Sequence, residues 1–268
     1  MPDPAIVVDN LVKRFDTHTV LGGVSFTVEE GETVSVLGRS GTGKSVLLKT
    51  IIALLDPDEG SVRVLGQDLH RLDEEHRLEA RKGIGYVFQG AALFDSLNVL
   101  ENVGFALYQK HLPEDEIRKT VLDRLEAVGL EDAIDKFPSE LSGGMQKRVG
   151  LARAIVESPR IILYDEPTTG LDPLTTDVIN KIILRLRAKS HVTSIVVTHD
   201  IRSALAISDR LIMIDQGRIV ANGTPSEIQA SDNAWVQRFL GIRSVEAAAL
   251  SSRPRIAIRR PPPAAPGT

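Results

Sequence analysis

The stretch Gly38–Ser45, GRSGTGKS, decides how the rest of the chain is read. Gly38, Gly43, Lys44 and Ser45 fill the spacing G-x-x-x-x-G-K-[ST], which marks a phosphate-binding loop when a strand precedes it and a helix follows. Glycines let backbone N–H groups converge on phosphate oxygens with no Cβ in the way. The start of the following helix adds partial positive charge. Lys44 supplies a point charge for the β- and γ-phosphates, and the Ser45 hydroxyl is a ligand for Mg²⁺. Both flanks are legible. Thr33 to Leu37 is a short apolar run that predicts a strand. Apolar residues at 47, 48, 51, 52 and 55 predict a helix from Gly43 to Leu55, ended by Asp56-Pro57.

Before the loop, Ile6 to Leu37 alternates apolar runs with turn residues, which predicts strands and hairpins turning at Gly22-Gly23 and Glu30-Gly31. After it, Ser61 to Leu65 and Ile84 to Phe88 are strand candidates. Pro113 opens a helix whose apolar stripe is Ile117, Val121, Leu122, Leu125 and Val128, with Gly129 as its stop. Ile161 to Asp165, Thr193 to Thr198 and Leu211 to Asp215 are short apolar runs separated by helical segments. They predict a parallel sheet covered on both faces, with the early hairpins as an antiparallel attachment. From Gly241 to Thr268 prolines and arginines replace core residues (Arg243, Arg253, Arg255, Arg259 and Arg260 against Glu246), and the tail reads as extended or disordered.

The 268 residues are 42% hydrophobic and 25% charged, the balance of a globular chain with an ample core. A net charge of -4 gives no reason to expect a nucleic-acid partner. The absence of cysteine excludes disulfides, thiolate metal sites and a cysteine nucleophile. No apolar run approaches the ~20 residues that span a bilayer, so a membrane role is expected to come through a partner.

IILYDE, Ile161 to Glu166, is an apolar strand ending in two carboxylates. Asp165 suits Mg²⁺, and Glu166 suits the polarisation of an attacking water. His199 follows the strand TSIVVT, at the edge where such sheets bind ligands. It could hold the γ-phosphate and water in line, although a lone histidine is more often structural. Gln89 ends the strand GYVF and could sense Mg²⁺ and water, or be a plain loop residue. LSGG, Leu141 to Gly144, is a bare helix N-terminus with no lysine beside it, half of an anion site.

In this order (Phe15, GRSGTGKS, Gln89, LSGG, IILYDE, GLDP and His199) the motifs resemble the ATP-binding subunits of ABC transporters over roughly residues 5 to 230. The resemblance implies an α/β fold of the P-loop NTPase (RecA-like) type, with a parallel sheet core, an antiparallel β subdomain and a helical subdomain over roughly 91–158. The ATPase domain would span 1–240. ATP would be held by Gly38, Arg39, Ser40, Gly41, Thr42, Gly43, Lys44, Ser45 and Val46, with Phe15 stacking on adenine. Mg²⁺ would lie on Ser45, Gln89 and Asp165, and Lys44, Gln89, Glu166 and His199 would serve the reaction. It further implies that Ser142, Gly143, Gly144 and Asp172 serve the ATP of a second ATPase subunit packed head to tail.

Three positions depart from the family's commoner text: Met145 for glutamine, Val46 for threonine and Phe15 for tyrosine. None removes a phosphate or metal contact. The segment after Gln89, together with GRSGTGKSVLLK and SGGMQKRVGLARA, is similar to that of ATPases serving Mce-associated, Mla-type phospholipid transporters. That implies integral-membrane permease subunits, an Mce-domain lipid-binding protein and a place on the cytoplasmic face of the inner membrane. Leu93, Phe94, Leu97, Val99 and Leu100 would offer a groove to a permease helix, or simply form core. Amino-acid importers and lipoprotein-releasing complexes share much of this text. A soluble ABC protein of translation or DNA repair and a non-hydrolysing regulator are the readings from other classes.

Overall fold

A computed structural model describes residues 3–241. In chain order the first elements are β1 (Ile6–Phe15), β2 (His18–Val28), β3 (Thr33–Leu37), α1 (Lys44–Ile51), β4 (Glu59–Val64), α2 (Glu74–Arg81) and β5 (Ile84–Val87). There follow α3 (Val99–Tyr108), α4 (Glu114–Val128), α5 (Gly143–Ala154), β6 (Ile161–Asp165), α6 (Pro173–Ser190) and β7 (Thr193–Thr198). The last are α7 (Ile201–Ile207), β8 (Arg210–Asp215), β9 (Arg218–Gly223), α8 (Pro225–Gln229) and α9 (Ala234–Leu240). The chain divides into two compact units, Met1–Ala230 and Ser231–Thr268. In the described part of the second, Asn233 caps α9 and Trp235 stacks on Phe239 at 5.0 Å. The expectation of an extended or disordered tail concerns residues that, from 242 on, lie outside the described ones.

Within the first unit the strands form two sheets, an antiparallel one ordered β2-β1-β4 and a six-stranded one ordered β5-β6-β7-β3-β8-β9. The larger sheet is parallel except for the pairing of β8 with β9. Its central strands are buried on both faces, which is why they read as unbroken apolar runs rather than alternating ones. Period-two geometry then divides each run between two cores. Ile161, Leu163, Ile195 and Val197 join Leu47, Leu48 and Ile51 of α1 and the antiparallel sheet. Ile162, Tyr164 and Val196 face the other way, into a core with α3, α4, α5 and α6. Helix α4 follows Pro113 and stops at Gly129, and its Ile117, Val121, Leu125 and Val128 are the buried stripe that the spacing predicts. Its Leu122 packs against the same core only partly buried.

Two local expectations are corrected. Gly22 and Gly23 are not a turn; they lie inside β2, where the register slips between Leu11 and Val12, and the hairpin instead closes at Asp16-Thr17. Helix α1 ends at Ile51 rather than Leu55. Ala53 adopts a left-handed φ of 54°, and the Leu54 N–H donates back to the Lys49 carbonyl at 2.8 Å, the reverse turn that closes many helices. The Arg81 guanidinium of α2 then donates to the Ile52 and Ala53 carbonyls at 2.9 and 2.7 Å. A tertiary partner settles the stop, which the apolar spacing does not reveal.

The β8–β9 turn ties the two sheets together. Its loop is Gln216-Gly217, with φ of 47° and 72°, the conformation that two-residue hairpins favour. The Gly217 carbonyl accepts from the Gly22 N–H of β2 at 2.8 Å, and a Cβ on Gly217 would lie 2.5 Å from the Val20 carbonyl oxygen. Gly217→Ala therefore combines a strained φ with a backbone clash, and should lower unfolding free energy by about 2–3 kcal/mol. Urea denaturation checks this, and a loss below about 0.5 kcal/mol, the range of a neutral surface change, would show that the contact is not needed.

Candidate active site

Three neighbouring strands, β6, β7 and β3, end at one edge of the sheet, and each delivers part of the site. From β3 the chain runs through residues 38–43 into α1. Gly43 caps the helix with a φ of 90°, and a Cβ there would come within 2.8 Å of Val20 Cγ1. Strand β2 therefore backs the loop directly. Gly38 is buried, whereas Arg39, Ser40 and Gly41 are exposed at the loop's crest. Thr42 Oγ1 donates to the Arg39 carbonyl at 2.9 Å, and Val46 packs against the core. The buried Lys44 ammonium folds back over the loop and donates to the carbonyls of Gly38 and Arg39 at 2.9 and 3.0 Å.

From β6 come two buried carboxylates. Asp165 accepts from Ser45 Oγ on Oδ1 at 2.7 Å and from the Tyr86 hydroxyl on Oδ2 at 3.1 Å. Glu166 has a left-handed φ of 50°, which costs of order 1 kcal/mol in a residue with a Cβ. Its N–H donates to the Val197 carbonyl of β7 at 2.9 Å, which holds it against the sheet. Glu166 Oε1 lies 3.4 Å from Lys44 Nζ. Oε2 receives Thr169 Oγ1 at 2.9 Å and His199 Nδ1 at 2.8 Å. Burial pushes this carboxyl up, but the hydrogen bonds from His199 and Thr169 and the Lys44 charge together outweigh it and hold it below the usual glutamate range. It is a carboxylate at neutral pH, and His199 carries its proton on Nδ1, leaving Nε2 directed away from the pair.

The structure thus brings together Lys44, Ser45, Asp165, Glu166 and His199, although 120 residues separate Ser45 from Asp165 in the chain. It also supplies groups that sequence reasoning missed. Tyr86 sits one strand away on β5 and reaches Asp165 because β5 pairs with β6. Burial, with the Asp165 charge, pushes the Tyr86 phenol far up, so it remains a proton donor to that carboxylate. Thr169 was legible in retrospect, three residues after Glu166 in a tight turn. Lys147, whose ammonium donates to the Thr169 carbonyl, carried no local signal.

Other predicted residues are not joined to that cluster by any hydrogen bond among the described residues. Gln89 is exposed just beyond the end of β5. Phe15 ends β1, 44% exposed as a residue, with Lys13 Nζ 5.4 Å from its ring centroid. Ser142 caps α5 and accepts from the Met145 N–H at 3.3 Å, while Gly143 has no atom near the position of a Cβ. Asp172 caps α6 and accepts from the Leu174 and Thr175 N–H groups at 2.9 and 3.0 Å. The two helix starts touch, since a Cβ on Gly144 would lie 2.5 Å from Thr175 Cγ2. Of the expected apolar groove, Val99 and Leu100 are buried core, Leu93 and Leu97 are half-buried, and Phe94 is exposed beside Phe105 with ring centroids 5.0 Å apart.

The family model for ABC transporters matches residues 21–169. The intermembrane phospholipid transport system ATP-binding protein MlaF of Haemophilus influenzae is 41% identical over 236 residues, covering 88% of this chain and 89% of the relative. The sulfate/thiosulfate import ATP-binding protein CysA of Mycolicibacterium paratuberculosis is 40% identical over 240 residues, covering 89% of this chain and 65% of its own. Among solved structures, the dimeric post-hydrolysis state of an ATP-binding cassette bound to ADP and Pi is similar, with a TM-score of 0.77 and 34% identity over 82% of this chain and 98% of that one. With this much of its length matched, the chain belongs to the ABC transporter family, as one of its ATP-hydrolysing nucleotide-binding subunits.

Proposed function

We propose that this ATPase works as a head-to-tail pair, in which each ATP lies between Gly38–Val46 of one chain and Ser142, Gly143 and Gly144 of the other. The pair drives membrane permeases that move phospholipid. The observation that carries the site is the buried Lys44–Glu166 pair, met from the surface by the half-exposed His199, beside the Ser45–Asp165 contact. ATP phosphates draw Lys44 from the loop carbonyls and from Glu166 and take their place. Ser45 and Asp165 are hard oxygen donors already 2.7 Å apart, a donor set that fits Mg²⁺, and Gln89, exposed beyond the end of β5, would be the third ligand. Bound there, Mg²⁺ would neutralise phosphate charge.

Glu166, ionised and aimed by Thr169 and His199, accepts a hydrogen bond from the attacking water and its proton as the new P–O bond forms. The bond from the γ-phosphorus to the bridging oxygen breaks, leaving ADP and phosphate. His199 Nε2 faces the transferred group. Phe15, exposed at its strand end, stacks on the adenine.

The need for a second chain rests on the α5 terminus. It is exposed, has an open Gly143 and lies outside the cluster that holds Lys44, so it completes no site within its own subunit. Asp172, against the same terminus through Thr175, would lie at that interface. The similar cassette bound to ADP and Pi is itself a dimer, which supports this arrangement. ATP closes the pair, and release of products opens it and moves the permeases. The ATPase domain is taken as residues 1–240, with the helical subdomain over about 91–158.

The phospholipid cargo rests on the likeness to the phospholipid-transport ATPase of Haemophilus influenzae and on the segment after Gln89. With it come an Mce-domain lipid-binding partner and a peripheral place on the cytoplasmic face of the inner membrane. Among the described residues no helix is long and apolar enough to cross a membrane. The sulfate-importer relative at nearly the same identity favours a second reading, import of a small anion.

Three outcomes test the proposal. Glu166→Gln should cut steady-state turnover by about 100-fold or more and accumulate an ATP-bound dimer, seen by light scattering. Unchanged turnover sinks the role of Glu166. Ser142→Arg should abolish ATP-driven dimerisation while nucleotide affinity of the isolated chain stays within about threefold, under about 1 kcal/mol. Loss of binding would contradict the division of the site between two chains. Mass spectrometry of complexes solubilised with the tagged chain should find a permease, an Mce-domain protein and phospholipid. A permease with an anion-binding receptor instead keeps the ATPase and replaces the cargo.

A further inference from the structure

Lys147 is a half-buried lysine on the second turn of α5, and none of the ion pairs among the described residues contains it. Its ammonium has one hydrogen-bond partner there, the Thr169 carbonyl, and its stem lines a small void with Phe88, Leu151, Tyr164 and Pro167. Burial holds its pKa below the usual lysine range, and the Glu166 charge opposes that effect. A half-buried cation with no carboxylate partner is a poor way to stabilise a fold, and an apolar side chain of the same length would do better.

The carbonyl it holds belongs to the residue that aims the carboxylate. Residues 166–169 form a turn closed by the Thr169 N–H on the Glu166 carbonyl at 3.3 Å, and Thr169 Oγ1 donates to Glu166 Oε2. Once phosphate engages Lys44, Thr169 and His199 are the groups left holding Glu166. One turn earlier, the same α5 meets the start of α6, where Gly144 abuts Thr175.

We propose that Lys147 is a positioning residue for hydrolysis: through the Thr169 carbonyl it fixes the turn that aims Glu166, and it ties that turn to the helix whose start carries Ser142. The inference rests on the reading of Glu166 as the group that polarises water. A displacement of the α5 N-terminus by a partner's nucleotide is passed along one helical turn to the carboxylate of the subunit's own site. The two ends of the subunit's machinery are then joined by a lever of rigid helix.

The test uses the full-length chain and measures steady-state ATPase activity beside nucleotide affinity. Lys147→Met keeps the stem and removes the donor. It should lower kcat about tenfold with KM and nucleotide Kd within about twofold, because the phosphate loop is untouched. Lys147→Gln, a neutral donor, should restore kcat to within about threefold of wild type. Thr169→Val should match the methionine variant, and the double variant should be no slower than Thr169→Val alone.

Wild-type kcat in Lys147→Met, a glutamine variant no better than methionine, or additive losses in the double variant would each overturn the inference. Glu166→Gln run in parallel separates the two claims. Persistent turnover there removes the premise and the inference with it. A dead Glu166→Gln beside a fully active Lys147→Met removes the role of Lys147 alone.

Discussion

The ion pair of Lys44 and Glu166 organises the sheet edge around it. The two side chains are 5% and 9% exposed and 3.4 Å apart. Removing two such charges from water is expensive, and their mutual attraction offsets it only when further hydrogen bonds complete both groups. Here both are completed, Lys44 by two loop carbonyls and Glu166 by Thr169 and His199. The arrangement is satisfied without ligand yet is built from groups that phosphate can rearrange. An anion arriving at the loop competes for Lys44 on better terms than a carboxylate that already has other donors. The contact thus holds the ammonium against the crest of the loop.

That pair exists only because of the strand order. The loop follows β3, and Glu166 follows β6, and the strand between them, β7, is followed by the histidine that meets Glu166 from its side. A parallel sheet places all these C-terminal ends on one edge, so residues far apart in the chain become neighbours without any loop having to reach. The two cores above and below the sheet keep the three strands level. The antiparallel sheet adds support from outside, with Val20 against Gly43 and the Gly217 turn against β2. The strained Glu166 backbone is tolerable because its N–H is anchored to β7.

The helical part of the subunit is coupled to this edge rather than merely packed beside it. Helix α5, capped by Ser142, touches the loop after Glu166 through Lys147 and the first turn of α6 through Gly144. The segment 165–175 therefore carries Asp165 and Glu166 at one end and the cap of α6 at the other, with α5 laid along it.

The sequence by itself marked Gly38–Ser45 as a strand–loop–helix junction, because its spacing of glycines, lysine and serine suits backbone access to phosphate, and it determined the parallel sheet, because strands buried on both faces must be apolar throughout. It also named Asp165, Glu166 and His199, each at the end of such a strand, and the resemblance of the whole motif order carried the family. The tertiary structure alone decided the rest. Tyr86 reaches Asp165 because β5 lies beside β6, Arg81 reaches the end of α1 from 28 residues further along the chain, and Lys147 finds Thr169 from another helix. Nothing local in the chain encodes those meetings. A glycine pair that reads as a turn became a bulge for the same reason, since the facing strand, not the dipeptide, sets the register. Periodicity and spacing report what a segment needs from its surroundings; which segment meets the need is settled only when the strands have chosen their order.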